Sequence, residues 1–345
     1  MKYVITPTFI GHLCYIPKYI QSFVKYVEDK ENVTICFIIE EKDIPQLMRI
    51  TDQFKGTCNI QIYNFDEILL YFGITYSSDE LLKKYGRFTY QTFKKFLGIS
   101  IIKAKVALIL DSESMWVNPT NMTEMEKNYM KDPFLTVSSI INDNQSAFFL
   151  KVVNNTDYLL STKSTVWTLE NFVWYMEQRI VNDLFTKHGS LLQMADCIYE
   201  RELEDKEKAG IMEALLYQEY VFHNKEKYNY RIIEIDKELK KELGPKEYNL
   251  YLEQLYKKCG GNVGFAEHAM ELLTNDNIVP IANVFRKCNQ NIIRCECAQS
   301  LRKRMLQEPF MKIVKPNIFA ASQEHYWGLN SSIKTIVNTE LRKVL

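Results

Sequence analysis

Three apolar, β-branched runs separated by amphipathic stretches fill the first 65 residues, and this alternation constrains the fold more than any other feature of the chain. Residues 2–6, 33–39 and 58–63 read as strands; between them Tyr19, Ile20, Phe23, Val24 and Val27 recur at helical spacing, and 44–50 reads as a second helix. Strands that alternate with helices pair in parallel, because each crossover lays a helix over a face of the sheet. A tyrosine-rich connection leads to another helix, residues 87–97, with Phe93, Phe96 and Leu97 on one face and Lys94 and Lys95 on another; Gly98 is expected to end it. The strand at 106–110 follows directly. The predicted fold class is α/β: a Rossmann-like mixed sheet with helices on both faces.

Beyond Pro119 the pattern changes. Residues 134–137 and 147–153 read as strands with antiparallel pairing, since no helix separates them. The rest reads as mainly helical, at 165–187, 191–201, 206–222, 247–258, 265–274 and 297–306, with one more strand at 231–235. The expected organisation is an α/β half over 1–160 and a mainly helical half over 161–345, packed as one continuous unit. A chain of 345 residues with 46% hydrophobic and 25% charged residues can bury a sizeable core and is not disordered. Its 43 basic and 43 acidic residues cancel, which removes the global electrostatic case for nucleic acid. The start, Met1 to Pro7, reads as strand and turn rather than as a signal peptide, and no run approaches the roughly 20 apolar residues that span a bilayer. A cytoplasmic location is expected. The eight cysteines are scattered, and Cys288, Cys295 and Cys297 lack structural-zinc spacing, so reduced thiols are expected.

The strand at 106–110 breaks into Asp111-Ser112-Glu113. In extended backbone, positions two apart point to the same side, so both acids would converge just beyond the strand's carboxyl end. Ligands of open α/β sheets bind along that edge. Mg²⁺ and Mn²⁺ take few protein oxygens and complete their shells with water and phosphate, so a nucleotide diphosphate would complete such a site. Other nucleotide signatures are missing: there is no Walker-type loop, and Gly260-Gly261-Asn262-Val263-Gly264 follows a helix rather than a strand.

Residues 87–95, followed by 106–114, resemble the segment before and across the D-x-D motif of GT-A-type glycosyltransferases, most of all the branch found in bacterial capsule and lipopolysaccharide clusters. In that branch a basic, Tyr- and Gln-containing helix precedes an apolar strand and a D-S-D-like triplet. The likeness covers roughly residues 1–120, and Glu113 departs from it by one methylene, which bears on metal distance and choice. The resemblance implies a nucleotide-diphosphate sugar donor, Mn²⁺ or Mg²⁺ on Asp111 and Glu113, and a third ligand late in the chain, for which His325 is the candidate. It also implies that Thr6, Pro7 and Thr8 lie near the nucleotide, that Glu40 or Asp66 meets the base or ribose, and that Ser112 belongs to the same donor site. Arg87, with Lys94 or Lys95, would reach the donor phosphates or sugar. Ordinary loop or solvated roles are the alternative for each of these.

An enzyme that inverts configuration needs a carboxylate base for the acceptor hydroxyl, and Glu219, set among aromatics that would raise its pKa, is the candidate. Trp167, Trp174 and Tyr175 would share a helical face, either as core or as a platform for sugar. His12 adjoins the first-strand loop as a further donor-site candidate. A basic amphipathic helix at 333–343 packs on the domain or contacts the inner face of a membrane carrying a lipid-linked acceptor. The expected activity is therefore metal-dependent sugar transfer to a glycan or lipid-linked glycan in surface polysaccharide synthesis. The alternatives are a sugar-phosphate nucleotidyltransferase and a non-catalytic carbohydrate-binding subunit of the same fold.

Overall fold

The computed structural model describes residues 1–139, 147–168, 175–205, 208–259, 277–288, 293–295, 312–313 and 318–323. The first part alternates as expected: β1 (Lys2–Pro7), α1 (Ile16–Tyr26), β2 (Val33–Ile39), α2 (Ile44–Thr51), β3 (Asn59–Asn64), α3 (Phe65–Tyr71), α4 (Ser78–Ile102) and β4 (Val106–Ile109). Then come β5 (Ser114–Trp116), α5 (Met122–Lys131), β6 (Phe134–Ser139), α6 (Ala147–Leu160), β7 (Val166–Trp167) and β8 (Tyr175–Glu177). The later part holds α7 (Gln178–His188), α8 (Leu191–Arg201), α9 (Glu213–His223), α10 (Lys225–Tyr228), β9 (Arg231–Glu234), α11 (Ile235–Cys259), α12 (Ile278–Cys288), β10 (Ile293–Cys295) and β11 (Ile318–Ser322).

The main sheet runs β3-β2-β1-β4-β8, with four parallel strands and β8 antiparallel at the edge. Every residue of β2 is buried, as its continuous apolar run requires of a strand covered on both faces. Adjacent residues of β1 identify the two covers. Ile5 packs toward Gly98 of α4, whereas the Thr6 hydroxyl bonds Tyr19 of α1 at 2.6 Å. The chain winds outward from β1 to β3 and returns to β4 on the other side, so the topological switch point lies between β1 and β4.

Gly98 does not end its helix, which continues to a left-handed Lys103 at φ 55°. A Cβ on Gly98 would stand 2.2 Å from Ile38 Cδ1, so the glycine is there for close approach of α4 to the sheet. Ile38 is fully buried and cannot swing into solvent. Gly98→Ala is expected to cost about 1–2 kcal/mol by overcrowding, despite alanine's better helix propensity, and urea unfolding reads it directly. Gly86, at φ 78°, breaks α4 into two helical pieces, the second of which starts at the predicted Arg87.

Four other expectations change. Residues 147–153 are helix, not strand: Val152, Thr156 and Leu160 are buried at spacing of four, and the polar Thr156 hides that period in the sequence. Of the stretch expected as helix at 165–187, Val166–Trp167 and Tyr175–Glu177 are strands and Gln178–His188 is helix, while 169–174 lie outside the described residues. Before that helix, β7 pairs with the end of β6 and β8 closes the open edge of β4. Those long-range pairings outweigh local helical spacing. Trp167 and Tyr175 therefore share no helical face, and Trp174 lies outside the described residues. Of the helix expected at 206–222, residues 208–212 are not helical and α9 starts at Glu213, because Gly210 adopts φ +67° in a buried turn whose N–H, with that of Ala209, donates to Glu202. Finally, β6 is antiparallel to β7 but parallel to β9. The helices expected at 265–274, 297–306 and 333–343 lie outside the described residues. Among the described residues no helix is long and apolar enough to cross a membrane.

Candidate functional site

A cleft of about 600 Å³ opens where the carboxyl ends of β1, β2 and β4 meet α4. Its position follows from the topology: strands on either side of a switch point send their following loops apart and leave a crevice. β1 ends in Pro7 and Thr8, β2 in Glu40, and β4 leads through Leu110 to Asp111, Ser112 and Glu113; α4 contributes Arg87, Tyr90, Gln91 and Lys94.

The acidic motif reaches the cleft by a different local geometry from the extended one expected. Ser114 N–H donates to the Asp111 carbonyl at 3.0 Å, which closes a tight turn over Ser112 and Glu113 before β5 begins. Asp111 and Glu113 both line the cleft. Ser112 is buried beside them, its hydroxyl 2.9 Å from His12 Nδ1, and the same imidazole nitrogen stands 3.4 Å from Glu113 Oε2. His12 lies in the 3₁₀ turn Ile10–Tyr15 after β1, so two strand ends are tied together across the crevice. From the far end of the chain, β11 runs antiparallel to β5, and Gln323 N–H donates to the Glu113 carbonyl at 2.7 Å. His325, the expected third ligand, lies outside the described residues.

The other end of the cleft is built on a buried cation. Lys94, 2% exposed, donates to the Thr8 carbonyl and to Glu40 Oε1, each at 2.7 Å, and Tyr90 donates to the same Glu40 oxygen. Burial pushes the Lys94 pKa down, against the pull of Glu40. Burial, with the Glu40 charge behind it, pushes the Tyr90 phenol far up, so it stays a donor. Lys94 is thus engaged with the protein and shapes the wall, while Arg87 is exposed at the cleft. Two polar atoms of this wall, Thr8 Oγ1 and Glu40 Oε2, are buried without a hydrogen-bond partner.

Three expected site residues are not in the wall. Thr6 is turned toward α1, where it bonds Tyr19. Asp66 accepts the N–H groups of Glu41 and Ser78 at 3.0 and 2.9 Å; burial pulls its pKa up, but these bonds outweigh it and hold the carboxyl below the usual range. It staples the loops around the cleft instead of facing it. Glu219, on α9, is 1% exposed, and burial pushes its pKa up to about 7, against a 3.0 Å bond from Thr168. Its neighbours are Thr168 and His223, whose Nε2 is 3.6 Å away, rather than the cleft residues.

No family model matches the chain, and no curated protein matches it in sequence. Solved structures do resemble it. Mouse xyloside xylosyltransferase 1, in its apo form, is 10% identical over 68% of this chain and 86% of its own, with a TM-score of 0.39. The galactosyltransferase LgtC, solved with donor and acceptor sugar analogues, is 8% identical over 63% of this chain and 70% of its own, with a TM-score of 0.36. The mannosyltransferase PcManGT from Pyrobaculum calidifontis, solved with GDP-Man and Mn²⁺, is 11% identical, and the match covers 53% of this chain and 46% of that one at a TM-score of 0.29. At such identities and scores, function has to be read from the cleft's own residues.

Among the described residues no group of three or more His, Cys, Asp or Glu side chains forms a ready cage for a metal. The two acids of the turn nevertheless match the way Mg²⁺ and Mn²⁺ are held next to phosphates, by one or two carboxylates, with water and phosphate oxygens filling the remainder. Two carboxylates in one turn are a donor set that fits a hard divalent ion.

Lys95, which contacts the motif, was undervalued by sequence reasoning, and Glu213, which contacts Lys95, was hidden from it. Lys95, grouped with Lys94 on a helical face, reaches Asp111 at 3.1 Å. Glu213, which bonds Lys95 at 2.5 Å, carries no local signal at all, since its partner is 118 positions away.

Proposed function

We propose that this chain is a metal-dependent glycosyltransferase that moves a sugar from a nucleotide-diphosphate donor to a hydroxyl of a glycan acceptor in surface polysaccharide synthesis. The observation that carries the reading is the pair Asp111 and Glu113 in one turn at a topological switch point, lining a cleft of about 600 Å³ together with Arg87. A cleft of this size falls within the range that encloses small-molecule ligands. Asp111 and Glu113 would hold Mn²⁺ or Mg²⁺, with His325 as the sequence-based third ligand. When bound, the ion would offset the charge that grows on the diphosphate as the bond to the sugar breaks. Arg87 offers a planar fork of donors to phosphate oxygens. Thr8 and Glu40 line the side of the cleft that would take the base or ribose, and Lys94 holds both residues in place. Pro7 stiffens the end of β1 beside them. In this reading residues 1–160 serve the donor and 161–345 the acceptor, with Glu219 as the candidate proton acceptor of the second half.

A panel of nucleotide sugars, tested for thermal stabilisation with and without Mn²⁺, checks this reading. A ligand at about 100 times its Kd adds about 2.7 kcal/mol to a protein that binds it only when folded. One nucleotide class is expected to raise the Tm by several degrees, and to do so only when Mn²⁺ is present. No stabilisation by any member of the panel would overturn the donor site.

A further inference from the structure

A buried ammonium approaches Asp111 from the side of α4. Lys95 Nζ is 3.1 Å from Asp111 Oδ1 and 2.5 Å from Glu213 Oε1, and the Lys95 and Glu213 side chains are each 3% exposed. Glu213 begins α9, and the Thr92 hydroxyl, one turn before Lys95, stands 2.9 Å from the Ile211 carbonyl and 3.5 Å from Glu213 Oε2 at this junction. A fixed cation this close to a carboxylate competes with any second cation for the same oxygens. Two carboxylates facing one ammonium leave the trio with a negative charge; one carboxylate facing it leaves none.

We propose that Glu213 is a positioning residue: it shares the charge of Lys95 and so keeps Asp111 attractive to a divalent cation, an inference that rests on the metal reading given above. Lys95 in turn fixes the direction of the Asp111 carboxylate, and Glu213 prevents that restraint from becoming neutralisation. The arrangement matches a general feature of metal sites, in which groups behind the ligands set their orientation and charge.

The test is Mn²⁺ binding itself, read as loss of the free-ion electron paramagnetic resonance signal when Mn²⁺ alone is titrated into the full chain. Glu213→Gln keeps the size and hydrogen-bonding reach of the side chain and is expected to weaken Mn²⁺ binding about tenfold. The double variant K95M/E213Q removes the competing cation as well. It is expected to return binding to within about twofold of the unaltered chain, a coupling that loss of packing alone would not produce. Wild-type binding in Glu213→Gln, or binding in the double variant as weak as in Glu213→Gln, would overturn the proposal. If Glu213→Gln does not fold, Lys95→Met alone keeps the test open: it removes the competing cation and is expected to tighten Mn²⁺ binding, and unchanged or weaker binding in it would overturn the proposal. Failure of the underlying reading looks different, because the unaltered chain would then hold no Mn²⁺, or Asp111→Ala would hold it equally well.

Discussion

Asp111→Ala is expected to reduce sugar transfer by about a thousandfold while the protein remains folded. The size follows from the usual cost of removing one group that stabilises charge developing on a leaving group in a site shielded from bulk water. The carboxylate lies in the cleft wall, at the end of the β4 strand whose Leu110 N–H still donates to the Ile5 carbonyl at 3.0 Å, so the turn has a backbone anchor independent of the side chain. The substitution also leaves Lys95 with Glu213 at 2.5 Å, which spares the fold the penalty of a buried ammonium stripped of its counter-charge. A stability loss within about 1 kcal/mol is therefore expected, and urea unfolding separates it from the catalytic loss. Glu113→Ala is expected to cost less, about ten- to a hundredfold, because its longer side chain is already shared with His12 at 3.4 Å. Initial rates of transfer, or of nucleotide-sugar hydrolysis without acceptor, measure both variants at several Mn²⁺ concentrations. Full activity in Asp111→Ala sinks the site. A chain that binds nucleotide sugar but neither transfers nor hydrolyses it would be a binding subunit.

The elements that create the crevice were legible because their physics is local. A run such as Val33 to Ile39 is apolar at every position, and only a strand buried on both faces asks for that. The break from Leu110 into Asp111 marked the strand's end and so the sheet's carboxyl edge. What the motif touches was not legible. His12 and Ser112 meet across 100 positions, and Lys95 and Glu213 across 118, with no pattern in either segment to announce the meeting. Glu219 was singled out because its neighbours in sequence are aromatic, and it is buried, 1% exposed. Sequence neighbours report burial well, but they do not report which side of a helix faces a cleft. The same limit explains 147–160, where a buried Thr156 interrupts the apolar period that defines the helix.

Glu219→Gln is expected to stabilise the protein at high pH and to do nothing at low pH. Burial holds the Glu219 pKa at about 7, above the ordinary 4.5 of an unfolded chain, so the folded state binds this proton more tightly. A group raised in this way favours folding below its unfolded pKa, and that advantage is lost as pH climbs from about 4.5 through about 7. Above that window the wild-type chain must keep an ionised carboxylate in a nearly sealed site where Oε2 has no hydrogen-bond partner. His223 does not relieve it, since its Nε2 is 3.6 Å away and burial lowers the pKa of its ring. Each pKa unit corresponds to about 1.4 kcal/mol, so the difference between variant and wild type should grow to about 3 kcal/mol at pH 8 and vanish near pH 4.5. Glutamine keeps the oxygen that accepts from Thr168 at 3.0 Å, so the comparison removes charge and little else. Urea unfolding of both proteins between pH 5 and pH 8 measures the difference, and a constant offset across that range would refute the shift. The same variant decides the proton-acceptor role. A general base typically contributes about 10²- to 10⁴-fold, so a loss of that size in transfer at pH 8 would assign Glu219 to the acceptor. Unchanged transfer together with the pH-dependent gain in stability would make Glu219 a buried acid that the fold tolerates.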